Sequence, residues 1–254
     1  MRKICIALSK GGVAKSSTAV SVSHGIALSG RKVLLIDTDD QGQDAFLLGV
    51  KPKYGLADVL NEQVSVEEAL FQAREDLWIL SGGRGLSGVK RAIGRKDFSS
   101  EQTLSESLCS IEGKFDFVIV DTSPSWDTLT INALFYCLEV LTPVSLEVLT
   151  LNSLVEFAER LKSVQKFNKK LQHTYLLPTF WDRRVKKSSE ILEQLKKYYS
   201  EQICKPIKYS VRISEAAGFG KTIYEYAPSS SGAKDYQKTV EKILNKDTQL
   251  WAID

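Results

Sequence analysis

Short apolar runs alternate along this chain with stretches whose apolar positions recur every three or four residues. The runs KICIAL (3–8), KVLLI (32–36), LWIL (77–80), FDFVIV (115–120), LEVLTPV (138–144) and TYLLPTF (174–180) are rich in β-branched and aromatic residues. Their near-continuous apolarity suits strands covered on both faces. Between them the spacing predicts helices over 16–29, 66–73, 101–110, 128–135, 150–167 and 187–200, and a last one over 232–245. Gly30 stands where a helix commonly ends, and Ser231 where the last helix would be capped, after the turn APSSSGA (227–233). This alternation builds βαβ units, so the expected fold is α/β, a doubly wound, mostly parallel sheet with helices on both faces. The loosest stretch, SGGRGLSGVKRAIGRK (81–96), is Gly-rich and basic and is expected to be a mobile surface loop. No internal repeat or low-complexity linker divides the chain, so residues 1–254 are read as one domain.

Composition narrows the classes. A chain of 254 residues, 43% hydrophobic, can bury one full core. Its 34 Lys and Arg nearly balance 31 Asp and Glu, so overall charge forces no nucleic-acid partner, and such binding needs a local basic patch. Cys5, Cys109, Cys137 and Cys204 are widely separated, with no C-x-x-C pair and no neighbouring histidine. That argues against zinc, an iron–sulfur cluster or a disulfide framework, and fits buried thiols in a reducing cytoplasm. No apolar run approaches the roughly 20 residues needed to span a bilayer. The N-terminus leads directly into a strand pattern, with too short an apolar stretch for a signal peptide. A soluble cytoplasmic protein is expected.

The candidate chemistry begins at LSKGGVAKSSTAV (8–20). The usual phosphate-loop pattern is G-x-x-x-x-G-K-[ST]; Lys15-Ser16 complete it, but Ser9 and Ala14 replace its glycines. Its place in the chain still suits phosphate: a strand, a loop with Gly11-Gly12, then a helix N-terminus with unpaired N–H groups. Lys15 can reach β- and γ-phosphates, and the Ser16 hydroxyl can ligate Mg²⁺. KGGVAKSS (10–17) resembles the deviant Walker A motif, K-G-G-x-x-K-[ST], of the ParA/MinD ATPases. The resemblance implies a P-loop NTPase fold, with ATP and Mg²⁺ as cofactors and Lys10, Gly11, Gly12, Val13, Ala14, Lys15, Ser16 and Ser17 around the nucleotide. It also implies that Lys10 reaches across a homodimer to the partner subunit's ATP, so that nucleotide glues the dimer. Ala14 departs from the family's glycine; if that position needs positive φ, alanine costs on the order of 1 kcal/mol.

Two carboxylate stretches follow. LLIDTDDQGQD (34–44) resembles the family's LLIDxDPQGN, with Asp37 and Asp39 at a strand's C-terminal edge, where α/β proteins place ligands. The resemblance gives Asp39 the role of positioning the attacking water, Asp37 that of supporting the metal's water shell, and Gln41 that of sensing the γ-phosphate. Asp40 replaces the customary proline. FDFVIVDTSPSWDTLTINAL (115–134) has the apolar-run-then-Asp form of a Walker B strand, whose Asp121 reaches Mg²⁺ through water. It resembles the family's YDYIIIDxPPSLxxLTxNAL, with Ser123 in place of the first proline. Asp127 is read as solvated or helix-capping, and His24 and His173 as structural. Lys10, Lys15 and Asp39 are the candidate catalytic residues; Ser16, Asp37 and Asp121 are the candidate metal residues.

The C-terminal half extends the resemblance over residues 3–244. LLPTFWDRRVKKSSEILEQLKKYY (176–199) and YSVRISEAAGFGKTIYEYAPSSSGAKDY (209–236) resemble conserved family stretches, the second carrying R-x-S-E-A. By resemblance this segment lines the adenine pocket, which points to Tyr209, Val211 and Glu215. Basic residues gather here too, and ParA proteins bind DNA without sequence preference through such residues on the ATP dimer. Arg183, Arg184, Lys186, Lys187, Arg212, Lys221 and Lys234 are the candidate DNA contacts, with Lys196 and Lys197 nearby. Dimerisation doubles the phosphate contacts, so affinity rises steeply. The implied function is a slow ATPase, stimulated by a ParB-like or analogous cargo adaptor, that segregates or positions cargo while associated with the nucleoid. A MinD-like membrane switch is the alternative; it needs a basic, apolar amphipathic C-terminal helix, and only Val240, Ile243, Leu244 and Trp251 hint at one before Asp254. A module that has lost hydrolysis stays open because of Ala14, Asp40 and Ser123.

Overall fold

A computed structural model of the chain describes residues 1–251, with side chains through residue 246. In chain order the elements are β1 (Arg2–Ile6), α1 (Lys15–Ala27), β2 (Val33–Asp37), α2 (Gln43–Leu47), α3 (Leu56–Leu60), α4 (Val66–Ala69), β3 (Phe71–Arg74) and β4 (Leu77–Leu80). Then come α5 (Leu86–Ile93), α6 (Thr103–Ser107), β5 (Phe117–Asp121), α7 (Thr128–Tyr136), β6 (Glu139–Ser145) and α8 (Val148–Gln165). The last are β7 (Gln172–Thr179), α9 (Lys186–Tyr198), α10 (Val211–Gly218), α11 (Ile223–Tyr226) and α12 (Ser231–Trp251). The strands form one seven-stranded sheet in the order β3-β4-β2-β5-β1-β6-β7. Every pairing is parallel except β3 with β4. This is the expected doubly wound α/β architecture.

The central strands are apolar throughout because both faces are covered, and their alternate residues feed two cores. Cys5, Leu34, Ile36, Val118 and Val120 face one side, against Leu56, Val89, Leu104, Leu134 and Phe157. Ile4, Ile6, Val33, Leu35, Phe117 and Ile119 face the other, against Val22, Ile26, Tyr236, Val240 and Ile243 from α1 and α12. Among the described side chains of α12, the apolar ones are therefore spent in the core. A third cluster joins Val144 and Leu176 to Ile191, Leu192 and Leu195 of α9.

Several expectations are corrected. The helix expected over 66–73 stops at Ala69, and the chain turns into β3, an edge strand held antiparallel on β4. The stretch 81–96 is not simply a loop. It contains α5, whose Leu86, Val89 and Ile93 are buried at helical spacing that the surrounding glycines had masked. The segment 101–110 is broken into short turns around α6. The last helix is capped by Ser230, whose Oγ accepts the Ala233 N–H at 3.2 Å, rather than by Ser231. The Trp251 side chain and Asp254 lie outside the described residues.

The helix packing of α1 on α12 rests on Gly25. A Cβ there would stand 2.6 Å from the Tyr224 hydroxyl and 2.7 Å from Val240 Cγ2. Gly→Ala inside a helix ordinarily stabilises by up to about 1 kcal/mol. Gly25→Ala should instead destabilise by about 1–3 kcal/mol, read as a lowered urea midpoint, because the added methyl overpacks this contact.

Candidate phosphate and metal site

Strand register brings the site together. Asp37 at the end of β2 pairs with Asp121 at the end of β5, and Asp121 also stands opposite Ile6, the last residue of β1. The loop leaving β1 must curl back over this edge before α1 begins. It does so through two left-handed residues, Gly12 at φ 73° and Ala14 at φ 68°. Ala14 thus occupies the positive-φ position suspected from the sequence. As the residue preceding α1 it offers no side-chain acceptor, so the first-turn N–H groups remain open to an anion. Lys15, buried, donates from Nζ to the Lys10 carbonyl at 2.7 Å. Burial lowers its pKa, and Asp121 and Asp39 oppose that shift.

Beside this loop the carboxylates of Asp37, Asp44 and Asp121 lie within 4.8 Å of one another, all buried. Asp37 accepts N–H bonds from Asp39 at 2.9 Å and Asp44 at 3.3 Å. The carboxylate oxygens of Asp44 and Asp121 have no hydrogen-bond partner among the described residues. Burial pushes the Asp37 carboxyl up to about 7 and, reinforced by neighbouring carboxylates, raises Asp44 and Asp121 well above the ordinary range. Ser16 and Lys15 pull Asp121 the other way. Crowded hard oxygen donors with orphaned lone pairs fit a divalent cation of the Mg²⁺ class. Sequence reasoning missed Asp44. Its signal was Gly42, whose φ of 60° turns the chain into α2 and brings Asp44 back under Asp37.

A cleft of about 610 Å³ opens beside the phosphate loop, and the three clustered carboxylates are not among its lining residues. Gly11, Gly12, Ala14, Lys15, Ser16 and Ser17 line one end, and Asp39 and Gln41 its side. Val13 is buried beneath the loop, its carbonyl accepting from Thr179 at 3.2 Å. Asp39 is half-buried, which raises its pKa, and its carboxylate accepts the Gln41 N–H at 3.0 Å. The far end of the cleft is lined by Phe180, Tyr209, Ser210, Ile213, Ser214 and Ala217.

An AAA-domain family matches residues 1–173. The chromosome-partitioning ATPase Soj of Thermus thermophilus is 31% identical over 246 residues, covering 96% of each chain. The chain belongs to the ParA family of ATPases. Among solved structures, cobyrinic acid a,c-diamide synthase from Mycobacterium smegmatis, with bound ATP analogue and magnesium, has a TM-score of 0.83 at 28% identity. That match covers 96% of this chain and 94% of the other. The Pyrococcus furiosus cell division ATPase MinD has a TM-score of 0.81 at 25% identity, covering 96% and 98%.

Within this ParA-family cleft the base-side expectation needs correction. Tyr209 lines it, but Val211 and Glu215 do not: Val211 is 57% exposed, and Glu215 accepts from Arg212 at 2.9 Å and Tyr226 at 3.2 Å. The segment forms α10, so Ser210, Ile213, Ser214 and Ala217 face the cleft at helical spacing while Val211 and Glu215 fall on other faces. Lys10 is not among the cleft residues. Its Nζ donates to Thr150 Oγ1 at 2.6 Å and lies 3.8 Å from Glu147, at the start of α8.

The basic candidates are carried by several elements. Arg183, Arg184, Lys186 and Lys187 are exposed at the β7–α9 junction, Arg212 lies on α10, Lys221 beside α1 and α2, and Lys234 on α12. Arg184, Lys187 and Arg212 already pair with Asp182, Glu190 and Glu215. Arg183, Lys186, Lys221 and Lys234 form no ion pair among the described residues.

Ala14 holds a left-handed conformation that costs an L-residue about 1–2 kcal/mol. Ala14→Gly should therefore raise unfolding stability by several tenths to about 1 kcal/mol in urea denaturation, net of glycine's greater unfolded-state entropy. A loss of stability would show that the alanine methyl makes contacts outweighing the strain.

Proposed function

We propose that this chain is a ParA-type ATPase that binds ATP with Mg²⁺, dimerises around the nucleotide, binds DNA without sequence preference and positions or segregates cargo. The whole chain, 1–254, acts as one ATPase domain. Lys15 and the first-turn N–H groups of α1 bind phosphate; Ser16, Asp37 and Asp121 hold the cation; Asp39 orients the attacking water. Bound Mg²⁺ supplies charge neutralisation and a template for phosphoryl transfer. Tyr209, Ile213 and Ala217 take the base side. Its relative Soj is named for chromosome partitioning, and the cargo reading rests on that likeness.

One observation carries the dimer. Each cleft contains its own lysine, Lys15, while the Lys10 ammonium is held outside it on Thr150. On leaving Thr150 and Glu147 that cation serves a facing subunit, so a second cation on a triphosphate becomes available only when two copies meet. Turnover is then slow until an adaptor protein completes the arrangement. A membrane switch is less well supported. Val240 and Ile243 of α12 are buried in the core and cannot enter a lipid interface, and no described helix is long and apolar enough to cross a membrane. Among the DNA candidates, Arg183, Lys186, Lys221 and Lys234 have the fewest internal competitors for phosphate.

Sedimentation with non-hydrolysable ATP analogue and Mg²⁺ tests this. The unaltered chain should dimerise and bind DNA with steep salt dependence. Lys10→Ala should keep nucleotide but stay monomeric and lose about tenfold or more in DNA affinity. Lys15→Ala should lose the nucleotide itself. Normal dimerisation of Lys10→Ala would refute the shared-site reading.

A further inference from the structure

The Gly-rich stretch 81–96 and the two positions where the family pattern has proline, Asp40 and Ser123, meet in space. Lys90 lies on the inner side of α5, its side chain 15% exposed. Its Nζ stands 2.7 Å from Asp127 Oδ2 and 3.8 Å from Asp40 Oδ2. Ser123 donates to the same Asp127 oxygen at 2.9 Å, and Ser87 of α5 donates to Asp40 at 3.2 Å. The other Asp127 oxygen caps α7 by accepting the Thr130 N–H at 2.9 Å, so this anchor is fixed.

The same segment also grips the loop next to Asp39 directly. The Gly83 N–H donates to the Asp39 carbonyl at 3.0 Å. Gly82 passes so close that a Cβ would stand 2.5 Å from that carbonyl and 2.7 Å from the Asp37 carboxylate, which only glycine permits. The strap from Ser81 to Lys90 therefore touches the carboxylate loop at its backbone and closes on it by charge.

A lysine largely withdrawn from water between two carboxylates is held more firmly than an exposed pair such as Arg160–Glu156. Proline at 40 and 123 would stiffen each loop by fixing φ. This chain has neither ring, and has the lysine bridge between those loops. We propose that Lys90 is a positioning residue for the hydrolytic site: it ties the loop carrying Asp39 to the loop following Asp121, and so sets where Asp39 stands. This consequence for turnover rests on the ATPase reading. The tether itself is a property of the chain without nucleotide.

Amide hydrogen exchange on the nucleotide-free protein reads it directly. Lys90→Met, which keeps the stem and removes the charge, should speed exchange at 39–43 and 123–127 by about tenfold, leaving 10–16 unchanged. Lys90→Arg should restore the slow rates. Asp40→Asn, at a more exposed position that leaves the core intact, should free 39–43 alone, and adding it to Lys90→Met should have no further effect there. At saturating ATP, Lys90→Met should lower kcat several-fold with nucleotide affinity within about twofold. Unchanged exchange at 39–43 in Lys90→Met and Asp40→Asn, or effects of the two that multiply independently, would overturn the tether. Failure of the unaltered chain to bind or hydrolyse ATP would overturn the ATPase reading instead, leaving the exchange result to stand or fall by itself.

Discussion

Three buried acidic side chains crowd together at the ends of β2 and β5, and their mutual repulsion is the constraint around which the site is built. Asp37 is partly satisfied by backbone N–H groups, but Asp44 and Asp121 have none among the described residues. Desolvated carboxylates this close resist simultaneous ionisation unless a cation joins them. Lys15 contributes one charge nearby, yet its own burial weakens it. The arrangement is costly without a cation and becomes favourable with one. Under the proposed function this couples the phosphate loop to the metal, because the same edge would hold both.

The sheet explains how the crowding is sustained. β1 lies between β5 and β6, and alternate residues of these strands pack into two different cores, so a one-residue slip would send each side chain into the wrong core. Fixed register sets Asp37 against Asp121 and delivers the phosphate loop beside them. The close passages at Gly82 and Gly25 keep the carboxylate loop and α1 seated. Lys90 adds a polar link between two loops that no strand connects.

Much of this was legible in the sequence. Buried parallel strands betray themselves by unbroken apolar runs, and the lysine loop and the two strand-end aspartates are local patterns. What escaped depends on phase or on distance. α5 was hidden because its three apolar residues are diluted by glycine and arginine. No element was expected over 211–218, and Val211 and Glu215 were aimed at the cleft by resemblance alone, whereas the helical phase of α10 presents Ile213, Ser214 and Ala217. β3 exists only because β4 offers it an edge. Asp44 became visible only when a left-handed glycine folded it under Asp37, and the ties of Asp40 and Asp127 to Lys90 link residues far apart in sequence.

If the site holds Mg²⁺ as proposed, Asp121 is kept in place at a cost that the cation relieves. Asp121→Asn, nearly the same in shape, removes one ionisable carboxyl from the cluster and gives the orphaned carboxylates an N–H donor. Equilibrium unfolding without metal or nucleotide, followed by titration of nucleotide affinity with Mg²⁺, measures both sides of that balance. The metal-free variant should be more stable by about 1 kcal/mol or more, with Mg²⁺ no longer strengthening nucleotide binding. A less stable metal-free protein whose nucleotide affinity still climbs with Mg²⁺ as before would contradict it.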